Sequence, residues 1–296
     1  MSKIEVRLNP DTPPTGSDLS VVNAARRSFN TRSEWEVVGY EEEVLDGSRT
    51  IINHPIRKLK EKDKRLIEFL ARGMTYDDFE NFIFLCNNAS NDWTYTDDEI
   101  FKKRLVEKLW QWRNTPTHDT PFNHTFISFE VKAPIFVRAQ LVKHEYLIMS
   151  EFSRRYITDD IEFYEPDYWR KAAPNKKQGS LEEPVNGFVT WDDVMTNTEV
   201  GGEIQSVIND YQESSKKLFE AMVNCYVAPE QARMVLPQST MTEWTWSGTL
   251  GAFAKMCQLR LHPEAQYEAR LVAQEVYKHL KEQWPVAAPA LVEGVK

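Results

Sequence analysis

The stretch Arg138–Tyr156, RAQLVKHEYLIMSEFSRRY, concentrates groups that bind or move charge: Gln140, Lys143, His144, Glu145, Glu151, Ser153, Arg154 and Arg155. A charge run of this kind forms a solvated helix face as readily as a site. The pattern Glu-x-Ser-x-Arg in Glu151–Arg155 adds a second reading. In an extended segment alternate residues share one side, so a carboxylate, a hydroxyl and a guanidinium converge. That trio suits a polar ligand carrying an anion, such as a nucleotide phosphate. Two more arginines stand among apolar neighbours, Arg233 in QARMVLP and Arg260 in AKMCQLRLHP. Each must meet an internal carboxylate or a bound anion, because an unpaired charge in apolar surroundings is costly.

Other chemistries find less support. His144-Glu145 begins like HExxH, but Ile148 stands where the second histidine belongs. His118 and His124 flank a proline-containing turn without a cysteine pair, so ligand spacing predicts no metal centre. There is no GxSxG elbow and no glycine-rich phosphate loop. Cys86, Cys225 and Cys257 form no CxxC pair, which predicts reduced thiols, with Cys225 and Cys257 as buried packing. Among 296 residues, 45 acidic against 36 basic side chains give a net charge of −9. That balance argues against nucleic acid or an anionic membrane surface as partner, though not against a small basic pocket. The opening MSKIEVRLNPDTPPTGSDLS lacks the apolar core of a signal peptide. The longest apolar runs, Ala133–Val137 and Val286–Val292, fall far short of the roughly 18 residues of a membrane span. A cytoplasmic protein with no membrane association is expected.

The elements that must position these groups read as α+β, mostly helical with a small sheet. Ser17–Phe29 is a short helix capped by Ser17 or Asp18, and Lys60–Gly73 a helix closed by Gly73, with Leu66, Phe69 and Leu70 as its apolar face. Residues 30–60 read as loop and 97–113 as a charged helix. Thr125–Val131 alternates as a strand, and Pro134 starts a helix running to about His144. Residues 165–200 read as a long surface loop. Glu203–Val223 is a strong helix with Ile204, Val207, Ile208, Tyr211, Leu218, Phe219 and Met222 in one stripe. Met241–Trp246 is a short extended segment, and Pro263–Leu280 an amphipathic helix with Ala265, Ala269, Val272, Val276 and Leu280 on one face. No linker divides the chain. The expectation is a single domain over 1–296, with inserted helical and loop material at about 30–105 and the long loop at about 165–200.

These residues resemble the flavin-dependent thymidylate synthases. That family's signature RHRxxSxNExSxRY is similar to KHEYLIMSEFSRRY at Lys143–Tyr156, where His144, Glu151, Ser153, Arg155 and Tyr156 match and Lys143 keeps the charge. THDTPFNH (117–124) followed by VKAPIF resembles the family's HxTPFEH segment. SVVNAARRSF near the start, then NKKQGS, QARMVLP and LRLHPEAQYE, resemble its other landmarks in order. The resemblance implies a thymidylate synthase-like α+β subunit, a small antiparallel sheet flanked by helices. It implies a homotetramer with active sites built from several chains. It also implies methylation of dUMP to dTMP, with methylenetetrahydrofolate as carbon donor and NADPH-reduced FAD as hydride source, and no attacking cysteine.

By the same resemblance, Gln140, Lys143, Glu151, Ser153, Arg154, Arg155 and Arg233 line the deoxyuridylate site, with Ser153 and the backbone at Arg154 and Arg155 on the phosphate. Arg260 faces the pyrimidine edge as the catalytic cation. The flavin side takes in His118, Thr120, Lys143 and His144, with departures elsewhere. Glu145 replaces the second signature arginine, Ile148 the serine and Ser150 the asparagine. Thr249, Gly251 and Lys255 stand for a later asparagine, arginine and asparagine. Three readings remain: a flavin-dependent thymidylate synthase with an adjusted flavin pocket, a related pyrimidine-nucleotide C5-modifying enzyme such as a hydroxymethyl transferase, and a non-catalytic nucleotide-binding paralogue.

Overall fold

The computed structural model describes residues 3–44, 51–88, 116, 118–174, 179–185 and 204–293. The helix expected at 97–113, Thr117 and the first residues of NKKQGS lie outside the described residues. In chain order the elements are β1 (Glu5–Leu8), α1 (Asp18–Arg26), β2 (Glu36–Val44), β3 (Ile51–Lys58), α2 (Glu61–Arg72), α3 (Tyr76–Asn88), β4 (Ile127–Pro134), α4 (Ile135–Leu141), β5 (Ile148–Glu151), β6 (Arg170–Ala172), β7 (Ser180–Pro184), α5 (Ile204–Asn224), α6 (Pro229–Ala232), β8 (Met241–Gly248), α7 (Leu250–Arg260), α8 (Tyr267–Gln283) and α9 (Ala287–Val292). They confirm a mixed helix and strand fold. The chain forms two compact units. Unit one comprises Met1–Asp11, Ser128–Ser247 and Leu259–Val276; unit two comprises Thr12–Ile127, Gly248–Gln258 and Tyr277–Lys296.

Unit one is organised by a four-stranded sheet in the order β1-β4-β8-β5. β1 runs antiparallel to β4 with Val6 opposite Val131, and β5 antiparallel to β8 with Glu151 opposite Trp244. The alternation read at Thr125–Val131 is real: Phe129 and Val131 on β4 are buried, each stabilising the fold by about 1.5–3 kcal/mol, and the extended segment read at Met241–Trp246 is β8, with Met241, Trp244 and Trp246 buried. Pro134 is the N-cap of α4 rather than its first residue, and the helix ends at Leu141, short of His144. The expected loop at 165–200 contains a two-stranded pair, β6 with β7. Its Pro and Gly content hid two short strands from a period-based reading.

The stripe expected on α5 is also corrected. Tyr211 and Leu218 are about half exposed, and the buried line is Gln212, Ser215 and Phe219. Polar residues are tolerated there because each is paired: Gln212 Nε2 donates to Ser239 Oγ at 3.0 Å and Ser215 Oγ to the Val235 carbonyl at 2.7 Å. Cys225, just beyond α5, is exposed and not buried packing; the helix has ended and its apolar stripe no longer constrains the position.

Unit two packs α1, α2, α9 and the buried part of α7. Ser17 caps α1, its backbone N–H donating to Ser20 Oγ at 3.1 Å. Gly73 closes α2 at φ 77, a left-handed conformation that favours glycine. On α2 the buried residues are Ile67, Leu70 and Ala71, while Phe69 is half exposed, so the apolar face is turned by one position from the expected one. Residues 30–60, expected as loop, carry the antiparallel pair β2–β3; its glutamate-rich β2 gave no apolar alternation to read. Cys257 on α7 is fully buried, as expected. Asp18, 2% exposed, accepts the backbone N–H groups of Val286 at 3.0 Å and Ala287 at 2.9 Å. Burial pushes its carboxyl up, against those two hydrogen bonds. No described helix is long and apolar enough to cross a membrane.

Candidate functional site

A cavity of about 910 Å³ opens in unit one, and three of the expected nucleotide residues, Gln140, Lys143 and Arg260, line it. Gln140 comes from the end of α4, Lys143 from the turn after it, and Arg260 from the last residue of α7. Arg260 Nε donates to His144 Nε2 at 2.9 Å, and an Nη reaches the Gln140 carbonyl at 3.4 Å. A guanidinium only donates, so His144 Nε2 is the unprotonated nitrogen. Burial first, then the Arg260 charge, lowers the imidazole to about 4, and burial lowers Arg260 as well. Arg260 is thus anchored by two neutral acceptors. The neighbouring arginines differ: Arg138 pairs with Glu151 at 2.6 Å and Arg170 with Glu268. Of the three, Arg260 alone keeps its charge uncompensated at the cavity wall. His144, expected on the flavin side, positions the nucleotide-side arginine.

Another part of the wall consists of residues the sequence reading passed over. Arg170, paired with buried Glu268, also donates Nε to Ser180 Oγ at 2.9 Å and lies over the Tyr267 ring at 4.2 Å. Gln266 Nε2 donates to Glu268 Oε2 at 3.1 Å, and Gln140 Nε2 donates to Gln266 Oε1. Tyr164 completes this wall, its phenol pushed up by burial and by the Glu268 charge. Gln266 and Glu268 sit inside LRLHPEAQYE, a landmark in which the sequence singles out only Arg260. Arg170 and Ser180 belong to the segment read as loop.

The remaining nucleotide-side residues line a separate cavity of about 380 Å³, also in unit one: Glu151, Ser153, Arg154, Arg155 and Arg233, with Thr242. The expected mechanism of convergence is corrected. β5 stops at Glu151, and the chain turns at Ser153, whose carbonyl accepts the N–H groups of Tyr156 at 3.0 Å and Ile157 at 3.2 Å. The turn, not a shared strand face, brings Ser153 Oγ within 3.4 Å of both the backbone N–H and the Nε of Arg155. Arg154 is 9% exposed and donates to the carbonyls of Asp159 and Asp160, the latter at 2.9 Å. Its guanidinium braces the loop, so the site's exposed cations are Arg155 and Arg233. Arg233 holds only the Glu230 carbonyl, at 3.3 Å through Nε. Glu151, besides Arg138, accepts Thr242 Oγ1 at 3.0 Å.

The expected flavin positions divide as well. Glu145 is exposed in unit one, in the turn that reverses at Tyr146 with φ 64. His118, Thr120, Thr249, Gly251 and Lys255 belong to unit two. There Thr249 Oγ1 donates to Asn123 Oδ1 at 2.7 Å and accepts the Ala252 N–H at 3.2 Å, capping α7. Lys255 lies 3.6 Å from Asp119. Gly251 is buried against the Asn123 amide, and a Cβ built there would lie 2.5 Å from Asn123 Oδ1. Asn123, unremarked in the sequence, occupies the space a side chain at 251 would need; its signal was the departure from HxTPFEH. His118, Thr120 and Lys255 remain at the solvent boundary, a donor set that fits the anionic phosphates of a dinucleotide such as FAD. Among the described residues no cluster of three or more His, Cys, Asp or Glu is placed to hold a metal ion.

A flavin-dependent thymidylate synthase of Thermus thermophilus is 34% identical over 176 residues, 60% of each chain. One from Kosmotoga olearia is 35% identical over 175 residues, 59% of this chain and 71% of its own. The chain spans about 60% of the length of the first of these curated relatives. The solved structure of a UMP/dUMP methylase, PolB from Streptomyces cacaoi bound with 5-Br dUMP, shares the fold at a TM-score of 0.58 and 22% identity, covering 99% of this chain and 96% of that one. The family model described as thymidylate synthase complementing protein matches residues 13–286. The chain therefore belongs to the thymidylate synthase complementing protein family.

Proposed function

We propose that the protein methylates dUMP at C5 to give dTMP, taking the carbon from methylenetetrahydrofolate and the hydride from FAD reduced by NADPH. The observation that carries this reading is Arg260: a cation at a cavity wall, held by the neutral His144 ring and a backbone carbonyl. A fixed, uncompensated guanidinium stabilises negative charge that develops on the pyrimidine ring as C5 becomes nucleophilic, and it stabilises that state more than the ground state. Because His144 is neutral well below pH 7, it holds Arg260 without competing for the charge. His118, Thr120 and Lys255 are the residues that would hold FAD, which in its reduced form would supply the hydride that converts the one-carbon unit to methyl. Cys257 and Cys225 take no part: Cys257 is buried and its pKa raised by burial, and Cys225 lines neither cavity.

Homotetrameric assembly is part of the proposal. Gln140, Lys143 and Arg260 line one cavity and Glu151, Ser153, Arg155 and Arg233 another. One nucleotide meets both sets when the cavity of one copy is completed by a second copy. Light scattering should give about four times 34.6 kDa; a monomer would overturn the assembly.

The second reading, a C5-modifying enzyme such as a hydroxymethyl transferase with an altered flavin site, is favoured by Asn123 filling the space at Gly251. The protein's visible spectrum with added FAD, followed by the product mass after incubation with dUMP, methylenetetrahydrofolate and NADPH, separates the two. FAD binding and a methyl product support the proposal. Absence of bound flavin, or a hydroxymethyl product, refutes it.

A further inference from the structure

We infer that Gln266, Glu268 and Arg170 form a directional relay that fixes the Gln140 amide with its carbonyl oxygen toward the cavity, so that this position accepts a hydrogen bond from a ligand N–H or O–H. The inference rests on the proposed nucleotide site and adds positioning residues to it. The direction follows from one end of the chain. Glu268 is 5% exposed, sits in the first turn of α8 and pairs as a carboxylate with the Arg170 guanidinium. A carboxylate only accepts. The atom of Gln266 that lies 3.1 Å from Glu268 Oε2 is therefore its NH₂. The Gln266 carbonyl must then face the other way, toward Gln140, and only the NH₂ of Gln140 can meet it. What remains of Gln140 is Oε1, an acceptor, on the wall of the cavity. Arg260 reaches the Gln140 backbone carbonyl at 3.4 Å, which sets this acceptor beside the expected catalytic cation.

An isolated glutamine amide presents either end to a ligand and is indifferent to donor and acceptor. Locking it selects ligands by hydrogen-bond polarity, because a buried mismatch costs more than a correct bond stabilises. Arg170 ties the relay to β7 through Ser180, so the β6–β7 pair becomes part of what sets that polarity.

The relay makes an unusual prediction for a double substitution. In Gln140→Glu the acceptor toward the ligand survives, but residue 140 no longer donates to Gln266; Gln266 must turn, and its carbonyl then opposes Glu268. Adding Glu268→Gln supplies an NH₂ at 268 while its carbonyl still accepts from Arg170, so the whole relay runs in reverse. The experiment is a double-substitution cycle of dUMP affinity by calorimetry, with thermal unfolding of the same four proteins. Gln140→Glu alone should weaken dUMP binding by roughly 10- to 100-fold and lower the melting temperature. The double variant should bind dUMP more tightly than Gln140→Glu alone and recover the melting temperature. Losses that simply multiply, or a single variant that behaves as wild type, would overturn the relay. A wild-type protein that binds no dUMP refutes the proposed substrate instead; the unfolding cycle then still decides the relay by the presence or absence of rescue.

Discussion

Two polar clusters of this chain, one in each unit, use similar side chains to different ends. Around the 910 Å³ cavity of unit one, hydrogen bonds hold side chains in place and leave atoms unspent: the Arg260 charge and Gln140 Oε1. Around Asn123 in unit two, the bonds close on themselves. Thr249 donates to Asn123 and caps α7, and Gly251 offers no side chain. A cluster that retains unsatisfied charge and acceptors is built to receive a ligand, whereas one that satisfies itself mainly stabilises the fold. The agreement of the sequence with the family follows the same line. It holds at Arg155, Arg233 and Arg260 of unit one and lapses at 249, 251 and 255, although Glu145, Ile148 and Ser150 depart within unit one as well.

The largest expected effect is on Arg260. Arg260→Ala should lower turnover by about 10²–10³-fold or more with an unchanged circular dichroism spectrum; near-normal turnover would remove the contrast on which the functional reading rests. Next comes Arg233→Ala, which deletes an exposed guanidinium from the smaller cavity. It should weaken dUMP binding by about 10- to 100-fold, and an unchanged dissociation constant would reassign Arg233 to the fold.

The self-satisfied cluster is tested by stability. Gly251→Ala should cost about 1 kcal/mol, because the new methyl group displaces Asn123 from Thr249. In an Asn123→Ala background the same change should stabilise by up to about 1 kcal/mol, since alanine is favoured over glycine within a helix. The same sign in both backgrounds would show that Asn123 does not govern position 251.

The smallest effect concerns His144, whose value falls from 6.5 unfolded to about 4 folded. The unfolded chain therefore takes up this proton first as pH drops. The contribution is full above pH 6.5, declines from 6.5 toward 4 and levels off below that. Because the ring is only half-buried, about 1 kcal/mol should be lost between pH 7 and pH 5. Urea unfolding of His144→Gln at both pH values should lack that component; equal pH dependence in the two proteins would show that His144 is not buried neutral against Arg260.

Much of the scaffold was legible because periodicity reports burial. The strand through Phe129 and Val131, the Gly73 stop and the long helix before Asn224 all follow from local patterns. The exceptions have physical causes. β6, β7 and the glutamate-rich β2 are stabilised by backbone pairing, which leaves no apolar alternation. The buried line of α5 contains Gln212 and Ser215, acceptable in a core only because partners far away in sequence meet them. At the site, the residue types were readable at Arg260, Arg233, Glu151 and Ser153. Their division over two cavities was not, nor was the turn at Ser153 that replaces the expected strand face. Gln266, Glu268 and Arg170 escaped notice because their importance lies in the direction of hydrogen bonds between segments up to 126 residues apart.

The Asp18 clasp bears on how the molecule is made. The carboxylate and the Ala287 N–H that it accepts are 269 residues apart, and unit two gathers the first part of the chain with its last helices. A ribosome has to deliver the 269 residues that follow Asp18 before that carboxylate has both its donors. Until then Val21, Val22, Ile67 and Leu70, all of them covered in the finished protein, wait without the segment that completes their core. The interval between synthesis of Asp18 and release of Ala287 is therefore when the nascent chain most needs protection from aggregation.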